Sequence, residues 1–144
     1  MKLSQICSHP AITVSVSSPV SEAAALMARH QVGAIVVTAT PSLRPVAIGI
    51  VTDRDIVRAQ LTRAADLSAI PTADVMTPDP LEICETQPVD EVIRRMHERG
   101  VRRAVVISAD GALRGVVSTD DLIAELTMEL VGLARVVATP QVTG

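Results

Sequence analysis

Residues 20–27 read VSEAAALM, and residues 89–96 repeat the pattern as VDEVIRRM. In each stretch apolar side chains occupy the first, fourth, fifth and eighth positions, which is the spacing of one buried helix face. A proline precedes each stretch and an acid lies in its first turn, and both features are typical of a helix start. The chain therefore contains two copies of one amphipathic helix.

The repetition extends to both sides of these helices. Three further pairs of segments align: ITV at 12–14 with LEI at 81–83, VGAIVV at 32–37 with VRRAVV at 101–106, and GIVTDRDI at 49–56 with GVVSTDDL at 115–122. The first two pairs indicate strands, and the third indicates a strand that runs into a helix. We predict an α/β (α+β) fold of two β-α-β-β-α repeats. Because half a chain this small has trouble burying a core alone, we expect the repeats to pack together with pseudo-twofold symmetry.

The repeats define the expected domain organisation. We predict a first repeat at 1–63, a linker at 64–74, a second repeat at 75–131, and a C-terminal helix end and tail at 132–144. Pro71 prevents the linker from forming one uninterrupted helix. The last helix, over residues 122–137, is longer than one repeat needs. We expect it to pack against a second subunit, with packing on its own core as the alternative.

Composition excludes several classes of function. The chain has 144 residues, 48% of them hydrophobic, a net charge of −3 and no Phe, Trp or Tyr. An aromatic stacking platform for single-stranded nucleic acid is therefore excluded, and the charge argues against non-specific nucleic-acid or membrane binding. No run approaches the roughly 18 apolar residues of a membrane span, so we expect a cytoplasmic protein. The two cysteines are too few for a disulfide framework, and we expect Cys7 to be inert.

A hydroxyl and a carboxylate lie three residues apart where strand meets helix in both repeats: Thr52 with Asp55, and Ser118 with Asp121. One interpretation is a capping box, in which both side chains bind backbone N–H groups of the new helix. The other is a nucleotide site, in which the helix N-terminus and the hydroxyl bind a phosphate and the carboxylate accepts both ribose hydroxyls.

With these residues the chain closely resembles tandem cystathionine-β-synthase (CBS) domains over about residues 5–130. The segments MTPDP at 76–80, read as a helix start, and RGVRR at 99–103 strengthen the resemblance. It implies a pair that binds adenosine-containing ligands (AMP, ADP, ATP or S-adenosylmethionine) between the repeats. It also implies a flat dimer that regulates an attached or separate enzyme or transporter.

The resemblance assigns residues to two ligand sites. Site A would contain Ile50, Thr52, Arg54, Asp55, Pro80, Leu81, Val101, Arg102 and Arg103. Site B would contain Ser8, Ile12, Val32, Gly33, Val116, Ser118 and Asp121. Without aromatic residues, adenine in site A has to lie between aliphatic side chains such as Ile50, Leu81 and Val101.

The two sites differ in charge. Site A has three arginines near the expected phosphate, and the guanidinium fork suits phosphate. Site B has Gly33 and Ala34 at the positions that match Arg102 and Arg103, and Asp120 stands where a residue could face the phosphate. We therefore expect site A to bind a nucleotide, and site B to bind weakly, prefer a nucleoside or stay empty.

Catalysis is not indicated. His9, His30 and His97 have no nucleophile at a recognisable spacing, and no phosphate-binding glycine loop or metal-ligand cluster occurs. Helix capping and ribose binding explain the paired aspartates at 53, 55, 120 and 121 more economically than Mg²⁺. We predict no enzyme activity, no catalytic residue and no metal. The predicted function is a homodimeric adenine-nucleotide sensor that modulates a separate partner. A dimeric scaffold with vestigial sites and an S-adenosylmethionine binder are the alternatives, and a DNA-binding regulator has no support in charge or motif.

Overall fold

The computed structural model describes residues 2–7, 11–39, 43–140 and 142. They form the predicted α/β fold of two β-α-β-β-α repeats. A short helix α1 (Leu3–Ile6) comes before the first repeat. Within the described ranges, no helix combines the length and apolar character needed to span a membrane.

The first repeat consists of β1 (Thr13–Ser15), α2 (Val20–His30), β2 (Ala34–Thr38), β3 (Ala47–Thr52) and α3 (Asp53–Thr62). Strand β1 is parallel to β2, and β2 is antiparallel to β3. Val and Ile occupy half of the positions in these strands, and both faces of the sheet are covered. β2 is therefore buried along almost its whole length.

The second repeat consists of β5 (Glu82–Cys84), α4 (Val89–Arg99), β6 (Arg103–Ile107), β7 (Leu113–Ser118) and α5 (Thr119–Ala138). Its strands pair in the same senses and in equivalent register. Each repeat even has a register irregularity near the end of its central strand. The sequence repeat is therefore a structural repeat.

The helices α2 and α4 form as their apolar spacing predicts. Val20, Ala23 and Met27 of α2 are buried, as are Val92 and Met96 of α4. Pro19 and Pro88 are the N-cap residues and not the first helical residues. The helices therefore begin at Val20 and Val89. Both helices end in a residue with left-handed backbone, Gln31 (φ 53°) and Gly100 (φ 65°).

Between the repeats, the chain forms two 3₁₀ turns (Leu67–Ala69 and Thr72–Asp74) and then β4 (Thr77–Pro78). Strand β4 pairs antiparallel with β3 and adds a fourth strand to the first sheet. The interpretation of residues 76–80 as a helix start is therefore wrong. Proline disfavours right-handed helical backbone in the residue before it, and Pro78 and Pro80 apply this restriction to Thr77 and Asp79.

The core is aliphatic and has three parts. Each repeat has its own cluster, and a central cluster of Val36, Ile50 and Val105 joins the two sheets. Leu3 of α1 and Cys7, which directly follows α1, pack in the cluster of the second repeat and not in that of the first. The repeats are therefore joined both by the central cluster and by this N-terminal segment.

Candidate functional site

Both hydroxyl–carboxylate pairs form capping boxes. Thr52 Oγ1 accepts a hydrogen bond from Asp55 N at 3.1 Å, and Asp55 Oδ2 accepts one from Thr52 N at 2.9 Å. Ser118 and Asp121 make the same two bonds at the same distances. The capping interpretation is therefore confirmed for both repeats. Among the described residues, Asp55 Oδ1 has no hydrogen-bond partner, so one carboxylate oxygen stays available to a ligand.

A cavity of about 270 Å³ lies where β3, β4 and the segment leading into β6 meet. We call it the apolar slot. Its lining residues are Ile50, Thr52, Thr77, Pro78, Asp79, Pro80, Leu81, Arg99, Val101, Arg102 and Arg103. The slot brings together every residue predicted for site A except Arg54 and Asp55. Ile50, Leu81 and Val101 provide aliphatic walls, and the arginines lie beside them.

A second, polar cavity of about 160 Å³ adjoins the slot and shares Thr52, Arg102 and Arg103 with it. We call it the polar pocket. Its other lining residues are Asp53, Arg54, Ser118, Thr119 and Asp120. The starts of α3 and α5, one from each repeat, therefore meet at this pocket. Arg54, which is absent from the slot, belongs here.

The charges of the polar pocket do not cancel. Three arginines and two aspartates line it, and none of the arginine guanidinium groups forms an ion pair or hydrogen bond with the described protein. Three cations held close together repel one another, and an anion between them would relieve that repulsion. The pocket is thus electrostatically suited to a phosphate group.

The two helix starts differ in their free donors. In α3, Asp53 N donates to Gly33 O at 3.0 Å and Arg54 N donates to Asp53 Oδ1 at 2.8 Å. With Asp55 N bound to Thr52, the first turn of α3 has its N–H groups satisfied. The expectation that this turn presents free N–H groups to a phosphate is therefore wrong. The Asp53 side chain already accepts a hydrogen bond from the N–H of Arg54.

The start of α5 keeps an open donor. Thr119 replaces the aspartate found at the matching position of α3, and Thr119 N donates to Arg102 O at 2.8 Å. Asp120 N has no acceptor within the described ranges of the chain. A phosphate in the polar pocket therefore has one backbone donor from α5 and side-chain donors from three arginines.

Four lining residues of the slot were not among the predicted site residues: Thr77, Pro78, Asp79 and Arg99. Arg99 Nη2 donates to Asp79 O at 2.8 Å and lies 3.6 Å from Asp79 Oδ2. Asp79 has left-handed backbone (φ 52°), which aspartate tolerates better than most residues. The segments that carry the family resemblance include all four residues, but neither spacing nor periodicity gives them a role.

The residues predicted for site B are dispersed among several environments. Ile12 and Val32 pack against the core of the first repeat, and Val116 packs against the central cluster. Ser118 lines the polar pocket, and Asp121 caps α5. Ser8 lies outside the described residues. Site B therefore stays a prediction.

Gly33 lies in an unexpected electrostatic environment. A Cβ atom on Gly33 would be 3.5 Å from Asp53 Oδ2 and 3.9 Å from Arg103 Nη2. An arginine of the second repeat thus reaches Gly33, which alignment of the two repeats did not indicate. The carboxylate of Asp53 is still nearer and would oppose a phosphate at this point.

The remaining chemistry-bearing side chains lie apart from these cavities. His30 and His97 are exposed at the ends of α2 and α4, and His9 lies outside the described residues. No group of three or more potential metal ligands occurs in the described part of the chain. Burial raises the pKa of the Cys7 thiol, whereas the Thr86 hydroxyl lowers the pKa of Cys84.

Comparison with known proteins gives a consistent result. The family model described as CBS domain matches residues 3–62 and 73–127. An uncharacterised 17.7 kDa protein of Acidianus ambivalens is 33% identical over 121 residues, which cover 84% of this chain and 70% of that protein.

Two solved structures share the fold. A CBS domain protein of Pyrobaculum aerophilum, solved in complex with AMP, is 30% identical with a TM-score of 0.71 over 85% of this chain and 90% of that one. The CBS domain of a bacterial CNNM/CorC family Mg²⁺ transporter, in complex with ATP, has a TM-score of 0.73 at 19% identity. The match covers 88% of this chain and 87% of the transporter's CBS-domain chain.

Proposed function

The chain belongs to the CBS-domain family, with two tandem repeats, and we propose that it is a regulatory module that binds an adenine nucleotide between them. The observation that carries this proposal is the junction of an aliphatic slot with an arginine-lined pocket. Adenine would lie in the slot between Ile50, Leu81 and Val101. Pockets for small molecules commonly combine apolar walls with a few placed polar groups.

The phosphate groups would lie in the polar pocket. Thr52, Arg102 and Arg103 line both cavities, so the cavities are neighbours, and the ligand would span the two. Arg54 would then complete three guanidinium groups around the phosphate, and each can form charge-assisted hydrogen bonds. The ribose would lie at the junction next to Thr52, and Asp55, which lines neither cavity but forms the capping box with Thr52, would accept its hydroxyls through Oδ1.

The P. aerophilum protein supports this assignment, since it was solved with AMP and shares the fold over nearly its whole length. Among AMP, ADP and ATP, the proposal commits only to the adenine nucleotide class. Site B would be the weaker site, because Gly33 and Ala34 stand at the positions that Arg102 and Arg103 occupy in site A.

The proposed role is regulatory and not catalytic. A ligand shifts a conformational equilibrium only if it binds one state more tightly than the other. For regulation, the state that holds the three guanidinium groups around one pocket would have to bind the nucleotide more tightly than the other state. The module would act in the cytoplasm as a homodimer and would transmit the change to a separate enzyme or transporter.

A scaffold without a functional ligand is the second candidate. The observation that favours it is the satisfied first turn of α3, in which Asp53 occupies an N–H that a phosphate would otherwise use. A scaffold would not need the three unpaired arginines, and on this ground the sensor is the stronger proposal.

Two measurements test the proposed function. Because the chain lacks Trp, Tyr and Phe, any adenine that copurifies dominates the absorbance near 260 nm, and mass spectrometry of the denatured sample identifies it. Calorimetric titration with AMP, ADP and ATP then gives affinities for the wild type and for Arg102→Ala.

The matched control is Arg58→Ala, an exposed arginine of α3 that lines neither cavity. We expect Arg102→Ala to weaken binding roughly tenfold or more, since a hydrogen bond to a charged group contributes about 1.5–3 kcal/mol. Arg58→Ala should bind like the wild type. Absence of binding by all three nucleotides at millimolar concentration would reject the sensor and favour the scaffold.

A further inference from the structure

The polar pocket has a near side and a far side with respect to the apolar slot. Thr52, Arg102 and Arg103 line both cavities and form the near side. The start of α5, residues 118–120, lines the polar pocket but not the slot. A ligand whose base lies in the slot would therefore reach the near side first and the start of α5 last.

The two helix starts that meet at this pocket carry opposite charges at equivalent positions. Arg54 is the second residue of α3, and Asp120 is the second residue of α5. A phosphate next to α3 is attracted by the guanidinium group of Arg54. A phosphate next to α5 is repelled by the carboxylate of Asp120. The two ends of the pocket therefore favour different charges.

The carboxylate of Asp120 is not neutralised by the protein. Within the described ranges of the chain it forms neither an ion pair nor a hydrogen bond. Asp53, the other acid of the pocket, differs in this respect, because its Oδ1 accepts a hydrogen bond from Arg54 N at 2.8 Å. Asp53 Oδ2 lies on the side of the first repeat, 3.5 Å from where a Cβ on Gly33 would be. Asp120 is thus the acid that faces a ligand from the second repeat.

We propose that Asp120 is a specificity-determining residue that makes the site prefer a nucleoside monophosphate to the corresponding di- and triphosphates. This inference rests on the proposed function and adds a choice within the adenine nucleotides. A single phosphate group would be held by Arg54, Arg102 and Arg103. A second and a third phosphate group would extend toward α5 and lie beside the Asp120 carboxylate.

The charge of the pocket matches one phosphate group better than three. Three arginines and two aspartates leave one positive charge in excess. A phosphate monoester carries about −1.5 to −2 charges at neutral pH, which already cancels that excess. Each further phosphate group adds negative charge that the lining does not neutralise. The open N–H of Asp120 does not remove this difference, because a phosphate that approaches it also approaches the carboxylate of the same residue.

Calorimetric titration of the full chain with AMP, ADP and ATP tests the proposal in the wild type and two variants. Asp120→Asn keeps the size of the side chain and the backbone N–H, and removes the charge. Asp90→Asn is the matched control, since Asp90 is the exposed second residue of α4 and lines neither cavity. Each titration is made in EDTA and again with Mg²⁺, which neutralises part of the ATP charge. Circular dichroism checks that both variants fold.

We expect the wild type to bind AMP roughly tenfold more tightly than ATP, with ADP between them. In Asp120→Asn this ratio should fall to about threefold or less, mainly because ATP gains affinity, and Asp90→Asn should keep the wild-type ratio. Equal affinities for AMP and ATP in the wild type overturn the proposal, as does an equal change of the ratio in both variants or in neither. A preference for ATP in the presence of Mg²⁺ also overturns it. In all these cases nucleotide still binds and the proposed function stands, whereas absence of binding by all three nucleotides rejects both.

Discussion

Replacing Asp55 by alanine separates the capping role of this residue from its proposed role in nucleotide binding. In the structure Asp55 Oδ2 accepts a hydrogen bond from Thr52 N at 2.9 Å, while Oδ1 has no hydrogen-bond partner among the described residues and is the oxygen that the proposed function assigns to the ribose. Asp121 occupies the same capping box in the second repeat, at the same distance from Ser118 N. Asp121→Ala is therefore a control that removes an equal cap from the other repeat.

The two substitutions should have equal effects on stability. Each removes one acceptor of a capping box and leaves a partly buried N–H without its partner, which costs about 1 kcal/mol of unfolding free energy. The effects on nucleotide binding should differ. One free carboxylate oxygen at Asp55 can accept one charge-assisted bond from ribose, worth about 2 kcal/mol, so Asp55→Ala should weaken binding roughly 30-fold.

The assay combines chemical denaturation with calorimetric titration of AMP and ATP on the wild type and both variants. We expect similar losses of stability and a loss of affinity confined to Asp55→Ala. Equal affinity in the wild type and Asp55→Ala would refute the ribose assignment. An equal loss in both variants would show that the weakening follows from destabilised helix starts and not from a lost ligand contact.

Three further outcomes are expected. Asp53→Asn should tighten nucleotide binding several-fold in the same titration, because it removes a negative charge that lines the polar pocket and repels a phosphate; weaker binding would contradict this view of Asp53. Leu3→Ala should lower the free energy of unfolding by about 2–3 kcal/mol in urea, because Leu3 is 1% exposed in the core of the second repeat. Leu61→Ala, at a position 81% exposed, should change it by less than about 0.5 kcal/mol. Iodoacetamide followed by peptide mass spectrometry should modify Cys84 well before Cys7, because hydrogen bonding to Thr86 lowers the thiol pKa of Cys84 while burial raises that of Cys7; equal rates would contradict the burial of Cys7.

The repeated elements could be predicted from the sequence because their signals are local. Apolar spacing in α2 and α4 and the β-branched runs of the strands each lie within about ten residues. The aliphatic walls of the slot followed from the family resemblance, and the structure places Ile50, Leu81 and Val101 together.

Other features depend on contacts between distant residues and have no local signal. Strand β4 exists because β3 offers it an edge, and no pattern at Thr77–Pro78 reveals that partner. The Arg99–Asp79 contact depends on a left-handed backbone at Asp79, which sequence does not specify. The difference between the two helix starts depends on a single residue, aspartate in α3 against threonine in α5. The hydrogen-bond acceptors of the individual N–H groups show this difference, and the sequence pattern does not.

The position of α1 has a consequence for synthesis on the ribosome. Leu3 lies ahead of the first repeat in the chain and is synthesised before it, yet its core partners extend to Leu122, near the end of the second repeat. Domains of a growing chain generally fold as units, the N-terminal one first. The first repeat can begin to fold early. The apolar side chains of Leu3 and Cys7 can contact Leu122 only after more than a hundred further residues have been synthesised. The core contacts of Leu3 and Cys7 can therefore form only after the second repeat has been synthesised.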